Sequence, residues 1–132
     1  MPGVGPDEAI RRAKLYQDAG VDLVFVDGIK HISEVEAVAK HVSGPKVISI
    51  VDGNETVALK ASDLEEMGFS VVLYAVTALF AAAKAISDAL GVLARDGTPA
   101  GTFADLMTYD EFSELVGLAK FQSLDTKFGG RA

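Results

Sequence analysis

The sequence predicts an α/β fold in which parallel strands alternate with covering helices, as in a doubly wound sheet or a (β/α) barrel. Three observations carry this. Gly20, Gly44 and Gly68 fall 24 residues apart, each closing a helical stretch and opening an apolar run; glycine tolerates the left-handed backbone that ends a helix. The runs themselves, residues 22–26, 46–51 and 70–76, are nearly continuous in Val, Ile, Leu, Phe and Tyr, the pattern of strands buried on both faces. A helix-sized stretch lies between successive runs, which favours right-handed βαβ crossovers over an antiparallel α+β arrangement.

In chain order, residues 7–19 read as a first helix, with Ile10, Ala13 and Leu15 on an apolar stripe, Arg11, Arg12, Lys14 and Asp18 facing water, and Pro6 and Asp7 at its entry. A second helix at 33–42 turns Val35 and Val38 inward, with Ser33 as its N-cap. A short third helix at 62–67 carries the capping-box pair Ser62 and Glu65. After the third strand comes a long alanine-rich helix, 77–94, capped by Thr77, bearing Leu79, Phe80, Ile86, Leu90 and Leu93, and stopping near Asp96-Gly97. Residues 98–101 form a connector, and 109–116 a further helix with Thr108 and Glu111 as capping box and Gly117 as stop. A helical tail at 118–127 and frayed residues 128–132 complete the chain. This makes one partial domain over residues 1–132, with α/β repeats at 7–95 and the connector and C-terminal helices at 96–132.

The chain has 132 residues, 49% of them apolar, enough for a sizeable core and against disorder. Without cysteine there are no disulfides, thiolate metal sites or thiol nucleophiles. Nineteen acids against twelve bases, a net charge of −7, oppose docking on nucleic acid or an anionic membrane. The opening Met-Pro-Gly-Val-Gly-Pro lacks the basic and apolar regions of a signal peptide, and no run of about 18 apolar residues is free of charge or glycine. A cytoplasmic protein is expected.

In parallel α/β folds ligands gather at the carboxyl ends of strands. There the sequence places Asp27-Gly28, Asp52-Gly53-Asn54 and, after the third strand, Thr77. Two carboxylates and a hydroxyl on neighbouring strand ends suit a polar ligand, bound directly or through a metal. Asp-Gly after a strand is equally a turn signal and Thr77 equally a helix cap. Ser49, inside the second strand, points to a lumen or packs against helices. His31 reads as exposed and inert, and His41 complements a helix C-terminus. No G-x-G-x-x-G, Walker loop, H-E-x-x-H or C-x-x-C is present.

The succession 7–13 (Asp-Glu-Ala-Ile-Arg-Arg-Ala), 19–28 (Ala-Gly-Val-Asp-Leu-Val-Phe-Val-Asp-Gly) and 73–82 (Leu-Tyr-Ala-Val-Thr-Ala-Leu-Phe-Ala-Ala), with Asp96-Gly97-Thr98-Pro99, resembles the isocitrate lyase and phosphoenolpyruvate mutase superfamily. The likeness is greatest to the branch of 2-methylisocitrate lyase, oxaloacetate decarboxylase and carboxyphosphonoenolpyruvate phosphonomutase. It implies a TIM barrel that makes or breaks a C–C or P–C bond beside a 2-oxo acid, with Mg²⁺ holding an enolate-like intermediate. It implies substrate-binding roles for Asp27, where relatives carry Glu; for Ser49, where they carry Asn; and for Thr77, where they carry Ser or Thr; Asp52 joins them at its strand end. Ala75 and Val57 replace prolines common in the family.

In that family the metal-binding aspartates, a loop with Lys and Cys, and an Arg lie upstream of the segment matched here. No catalytic residue and no metal ligand is therefore assigned in this chain, and no tightly bound Mg²⁺ is expected. An eight-stranded barrel needs about 250 residues, so the chain resembles the C-terminal half of one. The expectation is a Mg²⁺-dependent lyase or mutase of small 2-oxo or 2-hydroxy carboxylates, inactive as this chain alone. The alternative is a non-catalytic module that completes its sheet with a second copy or a partner chain through exposed strand edges and C-terminal helices.

Overall fold

A computed structural model describes residues 5–129. Three strands, β1 (Val24–Phe25), β2 (Lys46–Ile50) and β3 (Val71–Tyr74), form one parallel sheet in the order β1-β2-β3. Helices α1 (Gly5–Asp18), α2 (Ile32–His41) and α3 (Ala61–Glu66) precede them in turn, so the expected alternation is present. Gly20, Gly44 and Gly68 all have positive φ, between 65° and 91°, and end the helical stretches as the 24-residue beat requires. The contacts divide the chain into two compact units, one ending at Ala83 and the other beginning at Lys84.

In the first unit the register pairs Val24 with Lys46, Ile48 with Val72 and Ile50 with Tyr74. Side chains alternate along a strand, so Val24, Ile48, Ile50 and Val72 share one face. That face packs on Ile10 and Ala13 of α1, Val35 and Val38 of α2 and Leu64 of α3 to make the core. The other face carries Phe25, Val47, Ser49, Val71 and Leu73; Phe25, Val71 and Leu73 remain 45%, 39% and 43% exposed. Burial on both faces therefore holds for β2, and not for β1 and β3. In a three-stranded sheet the outer strands have one neighbour each, and no described helix of this unit covers their second face.

Local signals at helix starts shift by a residue or two. The N-cap of α2 is His31, not Ser33: the Glu34 carboxylate reaches back to the Lys30 N–H at 2.8 Å and the His31 N–H at 3.2 Å. In α3 the Lys60 N–H donates to Asp63 at 3.0 Å, so the cap is the Lys60/Asp63 pair and not Ser62 with Glu65. In both, the serine already lies inside the helix, and the acid at the third helical position reaches back to the N–H of the residue that caps it.

α4 (Thr77–Asp96) runs from the first unit into the second. No residue of it is buried, and by length and composition it could cross a membrane. Lys84 and Asp88 pair one turn apart on it, and Gly91 follows. Thr77 is its first helical residue instead of its cap; the Phe80 N–H donates to the Val76 carbonyl. In the second unit a 3-10 turn, Ala100–Asp105, occupies part of the expected connector. α5 (Tyr109–Leu115) has the expected Thr108/Glu111 capping box, with the Thr108 N–H 2.7 Å from the Glu111 carboxylate. Gly117, at φ 67°, turns the chain into α6 (Leu118–Phe128), which keeps Phe128 helical where fraying is expected; residues 130–132 lie outside the described residues.

Candidate functional site

β2 delivers Val51 and Asp52 into a turn at Gly53, φ 96°, followed by the 3-10 turn Glu55–Ala58. Thr56 anchors this turn. Its side chain is fully buried, its hydroxyl donates to Asn54 Oδ1 at 2.6 Å, and the same oxygen accepts from the Val51 N–H at 3.3 Å. Asn54 Oδ1 also accepts from the Thr56 N–H at 2.9 Å. Asp52 therefore leaves the sheet on a backbone held from both sides.

Beside it, the Ala75 N–H donates to the Ile50 carbonyl at 3.2 Å, which extends the β2/β3 pairing to the entrance of α4. There the Thr77 hydroxyl donates to Asp52 Oδ2 at 2.8 Å. An exposed acceptor and a hydroxyl thus meet at adjacent strand ends, at the N-terminus of a 20-residue helix, where the first-turn N–H groups have no partner within the helix.

The other two expected site residues stand apart from this pair. Asp27 Oδ1 accepts from the Gly28 N–H at 2.8 Å, the turn chemistry that Asp-Gly also signals. Asp27 lines a cavity of about 170 Å³ between α1 and β1 with Arg12, Tyr16 and Phe25. Ser49 is half-buried on the open face of the sheet, in register with Leu73. Among the described residues no hydrogen bond joins Asp27 or Ser49 to Asp52 or Thr77.

A cluster that sequence reasoning passed over lies between the first two strand ends. His31 Nδ1 is 3.0 Å from Glu55 Oε1, and Glu55 Oε2 accepts from the Ile32 N–H at 3.1 Å. The Glu55 N–H in turn donates to the Lys30 carbonyl at 3.1 Å. The His31 hydrogen bond, then that of Ile32, holds the Glu55 carboxyl below the usual range against partial desolvation and the like charge of Glu34. His31, read as inert, is thus exposed but engaged. The period itself was the available signal: His31 and Glu55 are 24 residues apart, so one repeat brings equivalent loop positions side by side.

A divalent cation of the Mg²⁺ type needs several oxygen ligands converging in near-octahedral geometry. Among the described residues no three His, Asp or Glu side chains converge in that way. Asp52 has one carboxylate oxygen committed to Thr77 and Asp27 has one committed to Gly28. These residues do not fit the ion.

The family model described as phosphoenolpyruvate phosphomutase matches residues 2–94. The petal death protein of Dianthus caryophyllus is 31% identical over 124 residues, covering 94% of this chain and 39% of that protein. 2,3-Dimethylmalate lyase of Eubacterium barkeri is 30% identical over 124 residues, covering 94% and 43%. The crystal structure of a phosphonopyruvate hydrolase in complex with oxalate and Mg²⁺ superposes with a TM-score of 0.78 at 25% identity, over 97% of this chain and 46% of that one. The chain spans about two fifths of the length of the curated relatives it matches, and its three parallel strands and helices correspond to part of a TIM-barrel fold.

Proposed function

Because the chain belongs to the phosphoenolpyruvate phosphomutase family, we propose that it supplies the carboxylate-binding strand ends of a C–C or P–C bond lyase or mutase acting on small 2-oxo or 2-hydroxy acids such as 2-methylisocitrate or oxaloacetate. The observation that carries this is the Thr77–Asp52 contact. A 2-hydroxy acid presents a hydroxyl donor next to a carboxylate acceptor. Asp52 suits the former; the Thr77 hydroxyl and the first N–H groups of α4 suit the latter. Asp27 and Ser49 would line the same end of the sheet.

In this reading a Mg²⁺ ion would supply Lewis-acid chemistry only with ligands from outside this chain, whose residues do not fit it, and the chain by itself has no turnover. The chain acts in the cytoplasm, away from nucleic acid and membranes, in keeping with a net charge of −7. Isothermal titration of the purified chain with oxalate, with and without MgCl₂, tests this. Oxalate binding that MgCl₂ leaves unchanged is expected; stoichiometric binding that requires Mg²⁺, or lyase turnover by the chain alone, overturns the assignment of an incomplete site.

One observation favours a second reading, a non-catalytic module completed by another chain. The sheet face bearing Phe25, Val71 and Leu73 is apolar and open, and among the described residues no strand pairs with the outer edge of β1 or β3. Size-exclusion chromatography with light scattering discriminates: an assembling module forms dimers or larger species, and a clean monomer at high concentration counts against it.

A further inference from the structure

Glu55 stands where two loops could otherwise move independently. The loop after β1 carries Asp27; the loop after β2 carries Asp52. The first turn of α2 already has an acid of its own, Glu34, serving the N–H groups of Lys30 and His31. The next N–H, that of Ile32, is served by Glu55 from 23 residues away. The same residue reaches His31 Nδ1 with its other carboxylate oxygen and holds the Lys30 carbonyl with its own N–H. Three bonds of one residue thus cross between the loops, and sliding one loop past the other breaks all of them.

Both arms of this connection are stiff. On one side Ile29, 4% exposed, pins the chain between Asp27 and Lys30 into the core. On the other, Thr56 follows Glu55 directly, is fully buried, and bonds the backbone N–H of Val51, the neighbour of Asp52. A displacement at Glu55 is therefore carried to both aspartates rather than absorbed in slack chain. The titratable groups facing it are His31 and Glu34.

We propose that Glu55 is a positioning residue for the strand-end carboxylates, clamping the loop after β2 to the loop after β1 and so setting the placement of Asp27 relative to Asp52. This rests on the reading of those strand ends as a carboxylate-binding site, and acts through the aspartates rather than on any ligand.

The test uses the ¹⁵N-labelled full chain and the variants Glu55→Ala and Glu55→Gln, with Glu36→Ala as an exposed control. In Glu55→Ala the Ile32 amide exchanges about tenfold faster or more, and the Asp27 and Gly28 amide resonances shift. The Ile48 and Leu64 amides keep their protection. Glu55→Gln keeps an acceptor for the Ile32 N–H, and brings Ile32 exchange to within about threefold of the parent and the Gly28 resonance most of the way back. Unmoved Asp27 and Gly28 resonances in Glu55→Ala overturn the proposal and leave a simple helix cap. Uniform loss of protection that includes Ile48 and Leu64 overturns it in favour of a purely global role. If Glu55→Ala does not fold, His31→Ala and Glu55→Gln are read on the same resonances, with shifts at Asp27 and Gly28 expected in His31→Ala. Oxalate titration of the same samples reports separately on the carboxylate site: its failure in the parent chain removes that reading while the loop coupling is still measured.

Discussion

The Thr77 hydroxyl donates to Asp52 across neighbouring strand ends at 2.8 Å, joining two residues 25 positions apart at the entrance to a 20-residue helix. Both side chains are exposed, so the bond contributes little to stability; Thr77→Val is expected to change unfolding free energy by less than about 1 kcal/mol. Its effect falls on binding. Titration with a 2-hydroxy acid should detect binding in Thr77→Ser and none in Thr77→Val, since only a hydroxyl can turn from Asp52 to the ligand. Equal binding by both variants removes Thr77 from the site.

Thr56 combines full burial with two side-chain hydrogen bonds, one to the Val51 N–H and one to Asn54. Thr56→Val conserves volume and leaves the part-buried Val51 N–H without its acceptor. Chemical denaturation should show a loss of about 1–3 kcal/mol. A neutral result would mean that water replaces the hydroxyl at no cost.

Gly68 closes the third helical stretch at φ 83°, and a Cβ there would lie 3.2 Å from Lys46 Nζ. Lys46 is 5% exposed, its ammonium over the Phe69 ring and donating to the Gly44 carbonyl. Left-handed backbone costs a non-glycine residue about 1–2 kcal/mol, so Gly68→Ala is expected to lower stability by at least that amount in thermal or denaturant unfolding. Gly91, helical and with open space around its Cβ, is the control, where alanine should be neutral or stabilising.

Glu8 bonds Arg11 at 2.6 Å and Arg12 at 2.8 Å, and these guanidinium groups lower its carboxyl from the ordinary 4.5 to about 2. A depressed folded-state value favours folding above the ordinary range, and that contribution disappears as pH falls from about 4.5 through 2. The pairs are exposed, so salt screens them. Carboxyl ¹³C titration should give a low midpoint for Glu8 that rises towards the ordinary value in Arg11→Ala and in 1 M NaCl. An unchanged midpoint in Arg11→Ala would show that the arginine does not hold the proton off.

Much of the fold was legible because its signals are periodic or local. The 24-residue spacing of Gly20, Gly44 and Gly68 named three βα repeats, and Thr108 with Glu111 named a helix start, since each depends on backbone geometry within a few residues. The helical caps of α2 and α3 lie two residues before Ser33 and Ser62, because Glu34 and Asp63 reach back to the N–H groups of His31 and Lys60 and start the turn there.

By itself, then, the sequence determined the α/β class, the parallel order of the runs and the strand-end location of Asp27, Asp52 and Thr77, because period and hydrophobicity act along the chain. Tertiary structure alone decided the rest. Asp52 pairs with Thr77, Asp27 closes its own turn, and His31 meets Glu55, since these contacts depend on how adjacent loops stack in three dimensions. It also left Phe25, Val71 and Leu73 open, because burial of a strand's second face requires neighbours that a three-stranded sheet does not supply.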